Sequence, residues 1–138
     1  MSSLQTQTTS FKAECWQAVH NLLTDSIKMA LYTSAANLNQ STTVYTTSDE
    51  ITSPGYVAGG AGMTGVTLGA DQFTVFADWA DVVFPGPLTA RYALIYNASK
   101  GNKSIAVLDF GTDKTSLTAF SVALPPNTAS TALLRSSN

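Results

Sequence analysis

The apolar positions change period once along the chain, and the change separates one helix from a series of strands. Phe11, Cys15, Val19 and Leu22 fall at i, i+4, i+8 and i+11, with Trp16 and Leu23 beside them. That spacing draws a single stripe on a helix of 3.6 residues per turn. Ser10 suits an N-cap and Glu14 the first turn. The pattern therefore predicts a helix over 11–23, closed by Thr24 and Asp25, with Cys15 as a small apolar residue in the core. Before it, Met1 to Ser10 is polar and reads as an extended arm.

From Ile27 the period is two. Ile27, Met29 and Leu31 alternate with Lys28, Ala30 and Tyr32, the signature of a half-buried strand. Thr33 to Gly69 is polar and dense in Ser, Thr, Asn and Gly, with short strands expected near 43–47 and 65–68. Phe73, Val75 and Ala77 alternate with Thr74 and Phe76, and Trp79 and the buried-looking pair Val82 and Val83 follow. Pro85 and Pro87 end that run, since proline donates nothing to a ladder. Ala90 to Tyr96 and Ile105 to Phe110 read as strands joined by a hairpin connection over 97–102. Leu117 to Leu124 and Thr131 to Arg135 complete the series, divided by Pro125-Pro126-Asn127. Strands at such short spacing predict a mainly β, single-domain β-sandwich or jelly-roll-like fold with one short N-terminal helix. The division is an arm over 1–10 and one β domain over 11–138.

Composition narrows the function more than the fold. Only 12% of the 138 residues are charged, about half the usual share. Polarity comes instead from 15 Ser and 19 Thr. A net charge of −2 with no basic cluster argues against nucleic acid and anionic membranes as partners. No apolar run is long enough for a membrane span, and the arm lacks the charged and apolar regions of a signal peptide. We therefore expect a product that stays soluble where it is made. The single cysteine, Cys15, excludes an internal disulfide and a cysteine-based zinc site.

The motifs that suggest chemistry each meet a physical objection. Gly60-Ala-Gly-Met-Thr-Gly65 matches a dinucleotide loop, but strand-like Val66-Thr-Leu68 follows where a helix should begin, so a flexible loop is expected. Asp109-Phe-Gly111 copies a kinase triplet in a chain too short for a kinase. Cys15 and His20 lie five apart, which on one helix turns their side chains about 140° from each other, and no second histidine exists to serve a nucleophile. His20 is expected to be structural. Asp49, Glu50, Asp71, Asp78 and Asp81 could in principle converge on calcium, yet they lack EF-hand spacing and read better as solvated acids. Sequons at Asn39, Asn97 and Asn102 matter only in a secretory pathway. No catalytic residue, metal ligand or cofactor site is assigned.

Taken together, several stretches resemble a known family: Asp25 to Ala36, Thr42 to Glu50, Gly55 to Gly60, Leu88 to Asn97, Ile105 to Gly111, the Pro125 region and Ala132 to Arg135. They resemble, in order and over most of the chain, a small virion structural protein family of tailed bacteriophages. The resemblance implies a mostly β head-decoration or tail-associated protein without catalytic residues, located in the virion after synthesis in the host bacterial cytoplasm. The leading expectation is a capsid decoration or cement protein, homo-oligomeric, whose partners are the major capsid protein or other virion proteins. The alternative is a tail or fibre-associated adaptor or receptor-binding module that displays loop aromatics. Interface residues are expected in the arm (Ser2, Leu4, Thr6) and at Tyr45, Tyr56 and Trp79. The arm and the loop over 48–62, poor in apolar residues, are expected to be mobile until a neighbour fixes them.

Overall fold

A computed structural model describes residues 4–137, and for Leu4 and Ser137 the backbone alone. In chain order the elements are β1 (Leu4–Gln7), α1 (Thr9–Trp16), β2 (Ile27–Tyr32), β3 (Ala61–Gly62), β4 (Thr67–Asp71) and β5 (Thr74–Asp78). There follow β6 (Val82–Pro85), β7 (Leu88–Asn97), β8 (Lys103–Ser116), β9 (Ala119–Val122) and β10 (Leu134–Ser137). The fold is mainly β, with several antiparallel sheets and one short helix, consistent with a sandwich-like single domain.

A five-stranded sheet in the order β1-β8-β7-β2-β3 forms the centre. Opposite it lie a three-stranded sheet, β10-β5-β4, and a two-stranded ribbon, β6-β9. The register explains which side chains meet. Met29 pairs with Ile95, and Ile95 with Ala106, so these three share one face; Ala30, Leu94 and Val107 share the other. The first face packs against Ala77, Val82, Phe84, Phe120 and Leu134 in the main core.

The second face is covered too. Ala30, Tyr32, Leu94, Tyr96 and Val107 are buried beneath Ala36, Leu38 and Tyr45. Antiparallel sheets commonly leave one face to water; here the polar segment between β2 and β3 folds over that face. The expected half-buried strand at β2 is therefore buried at every position except Lys28.

The arm and the helix depart from expectation for linked reasons. Leu4–Gln7 is extended, as expected, but it pairs with 106–109 of β8 as an edge strand rather than waiting for a neighbour. Thr8 is fully buried, its N–H bonds Ile105 O at 3.0 Å, and its Oγ1 accepts from Phe11 N. Thr8, not Ser10, is thus the N-cap, and Glu14 lies beyond the first turn. The helix ends at Trp16, well before Leu23, because Ala18 turns left-handed (φ 59°) and Val19 N bonds back to Glu14 O. Only Phe11 of α1 is buried; Cys15 is exposed. Phe11 and Leu22 reach the core, but Cys15, Trp16 and Leu23 are exposed, so packing gives a continuous helix over 11–23 little support.

Two further differences concern burial and order. Val83 is exposed although its neighbour Val82 is buried, because β6 alternates and is covered on one side only. The segment over 48–62 is tied down rather than loose: Ile51 N bonds Leu31 O, and Ala61–Gly62 pairs with β2 as β3. Gly60 is required there, since at φ 82° a β-carbon would run into the Met29 carbonyl. The glycine-rich motif is thus a strand edge, with no helix after Gly65 to meet a phosphate.

Candidate functional site: an apolar groove and two polar anchors

The chain after α1 is positioned by a buried polar cluster. His20, whose side chain is fully buried, faces Glu14 Oε1 through Nε2 at 2.9 Å. Its Nδ1 accepts from the Asn97 amide at 3.0 Å, and its ring lies 5.0 Å from that of Phe11. Asn97 also donates to Asp25 Oδ2 at 2.8 Å, and Lys100 Nζ reaches both Asp25 and Val19 O. The Asn21 N–H, the Asn97 amide and Lys100, in that order, hold the Asp25 carboxyl down at about 2. Both His20 nitrogens are engaged, so neither is free to activate Cys15. This cluster is an anchor: it staples the segment over 17–25 to the β7–β8 hairpin.

The stapled segment forms one wall of a groove of about 1060 Å³. Phe11, Trp16, Leu22 and Leu23 line that wall, and Leu68, Val75 and Leu134 of the three-stranded sheet line the other. The lining is apolar and mostly uncharged, and Trp16 is 93% exposed, with Leu23, Leu68 and Val75 each about half exposed or more. The apolar face of the three-stranded sheet begins in the core at Ala77 and Leu134 and continues outward past its cover. Apolar groups of this kind bind apolar or aromatic surface; Lys12, Cys15, His20 and Arg135 also line the groove, and both His20 nitrogens are already engaged.

The second anchor holds the segment that covers the back of the central sheet. Glu50 Oε1 accepts from Tyr45 OH at 2.7 Å, and Oε2 accepts from Tyr56 OH and from Gly59 N at 2.9 Å. Tyr96 OH donates to Gly59 O, Tyr32 OH donates to Thr46 O, and Tyr45 stacks on Tyr96 at 4.7 Å. Burial first, and then Glu50, by a hydrogen bond to Tyr45 and Tyr56 and by its charge on Tyr32 and Tyr96, push all four phenols above their usual range, so they remain proton donors. A shallow recess of about 430 Å³ opens beside Glu50 between Thr33, Ser53 and Leu88. The carboxylate oxygens are already taken by internal donors, so this recess offers no free acid.

The expected interface residues fall into different places. Ser2 lies outside the described residues. Leu4 and Thr6 sit on edge strand β1, with Thr6 exposed. Tyr45 and Tyr56 are brought together on Glu50, half-buried, and do not project. Trp79 is 6% exposed and belongs to the core, so it cannot serve as an exposed contact. The five acids scatter: Glu50 meets tyrosines, Asp81 accepts from Leu124 N, and buried Asp78 accepts from Trp79 N. Among the described residues no three of His, Cys, Asp or Glu gather as a metal site, and no helix is long and apolar enough to cross a membrane. Trp16 and Leu23, which do project, were placed on a core-facing helical stripe by their spacing. Only the early left-handed turn at Ala18 frees them, and an alanine carries no sequence signal for it. No family model, characterised protein or solved structure matches the chain.

Proposed function

We propose that this chain is a non-enzymatic structural subunit of a bacteriophage virion, acting as a decoration or cement protein through contacts with capsid or other virion proteins. The observation that carries the reading is the open groove, with Trp16 at 93% exposure above an uncharged, apolar sheet face. Aromatic anchors in an apolar recess are what protein interfaces are built around. The two polar anchors use their titratable groups on each other, which suits a rigid scaffold better than a reaction centre. The family resemblance of the sequence points the same way. Many copies of one modest contact would add up to a strong hold on a shell.

A cryo-electron map of particles tests this directly. Many copies on the head, with the groove against a neighbour, are the expected result. A few copies at the tail would favour the adaptor or adhesion reading, and absence from particles would overturn both. Trp16→Ser should leave the isolated fold intact yet lower occupancy on particles. Full occupancy with this variant would remove the groove from the contact.

A further inference from the structure

The geometry points to a homodimer in which β4 of one chain pairs antiparallel with β4 of a second copy about Gly69. This inference concerns the chain alone and holds whether or not it decorates a particle.

β4 is an outer strand of its sheet, hydrogen-bonded on one side by β5. A two-residue turn at Gln72 and Phe73 closes the hairpin, so Asp71, Gly69 and Thr67 exchange bonds with β5. The N–H and C=O of Leu68 and Ala70 therefore face outward. Natural edges are usually guarded by proline, lysine, bulges or covering groups. Other edges here are guarded: β3 has two residues, and β6 ends in Pro85. Gln5 and Gln7 donate side-chain bonds to the carbonyl of Ala132, just before β10, and to that of Arg135 within it. Along β4, Thr67-Leu68-Gly69-Ala70-Asp71 has no proline, lysine or bulge; Asp71 is its one charge, and Asn127 meets it only at Thr67.

The strand complements itself in one direction. Antiparallel pairing about Gly69 sets Leu68 opposite Ala70, so the four outward groups on each copy meet their partners in register. It also sets Asp71 opposite Thr67. The Thr67 Oγ1 already accepts from Asn127 at 2.7 Å, which leaves its hydroxyl hydrogen for the facing carboxylate. Parallel pairing would instead place Asp71 against Asp71, which like charges disfavour. At the centre, Gly69 meets Gly69 without side chains; its own Phe76 ring fills the space where a β-carbon would stand.

The apolar surface agrees with a second copy. Leu68, Ala70 and Val75 share the groove face of the sheet, and Phe73 at the hairpin tip is 74% exposed. Phe73 alone presents on the order of 150 Å² beside that edge, a part of the roughly 800 Å² per partner that a stable interface removes. A six-stranded sheet would carry both grooves on one continuous face.

The test uses the full chain in analytical ultracentrifugation. A dimer is expected, and Ala70→Pro, which deletes an outward N–H without touching the β5 ladder, should weaken it roughly tenfold or more. Register is tested by mixing Leu68→Cys chains with Ala70→Cys chains, both carrying Cys15→Ser. Mild oxidation should link the mixture and leave each variant alone mostly unlinked. Ala70→Pro could unfold the hairpin, in which case the cross-linking result decides. A chain that stays monomeric at high concentration overturns the dimer and leaves the edge to a strand of another protein. A dimer without the mixed cross-link overturns the β4 register.

Discussion

The central five-stranded sheet and the three-stranded sheet beside it are built from the same kinds of residue and end in opposite states. The first carries a buried apolar cluster on each of its faces. The second is covered along one end only, and its apolar face runs out into water at Leu68 and Val75. The difference lies in what each sheet was given as a lid. The long segment between β2 and β3 could fold back because one carboxylate, Glu50, collects two tyrosines and a backbone amide. Among the described residues no such collector stands over β4. Buried packing is therefore concentrated in one sheet, and exposed apolar surface in the other.

The largest expected contrast is in packing. Leu31→Ala, at a fully buried position, should cost about 2–5 kcal/mol in urea unfolding. Leu68→Ala, at a position 49% exposed, should change the isolated chain by about 0.5 kcal/mol or less. Equal losses would mean the two regions do not differ as described.

Next is the Glu50 anchor. Glu50→Gln keeps the volume but turns one acceptor oxygen into a donor against Tyr56 or Gly59, and should cost about 2 kcal/mol. The phenols carry a pH signature. The folded state holds their protons above the pH near 10 at which unfolded tyrosines release theirs. The stabilisation is complete below that value and falls as pH rises past it. The fall should be shallower in Glu50→Gln, because the neighbouring charge is gone. An unchanged alkaline slope would show that burial alone sets the phenols.

The smallest effect belongs to the clasp under α1. Asp25 is held down at about 2, so its contribution is present above about 4 and is lost as pH falls from about 4 towards 2. Asp25→Asn should cost about 1 kcal/mol at neutral pH, since the pair with Lys100 is partly exposed. It should also flatten the acid limb of a stability-versus-pH curve. A variant with the same acid limb as the parent would place the acid sensitivity elsewhere.

How much of this was legible depends on the range of the interaction. Period-two alternation located β2, β7 and β8, and the 97–102 connection marked their hairpin, because the signal and the structure are both local. The early end of α1 was not legible. It depends on Ala18 turning left-handed and on His20 reaching Asn97, 77 residues away. That Tyr45, Tyr56 and Trp79 are half-buried or buried rather than projecting was not legible either. Tyr45 and Tyr56 stand in polar surroundings in sequence, yet both phenols bond the nearby Glu50, and Tyr45 stacks on the distant Tyr96.

What the sequence determined by itself was a mainly β domain, low in charge, with a short helix near its start. Those properties follow from residue type and spacing, which act within a few residues. What only the tertiary structure decided was which apolar surface is covered. Trp79 and Trp16 look equally fit for a core, and one is 6% exposed, the other 93%. Burial is a property of the partner surface as much as of the residue, and the partner is chosen by long-range hydrogen bonds and sheet register that no local pattern contains.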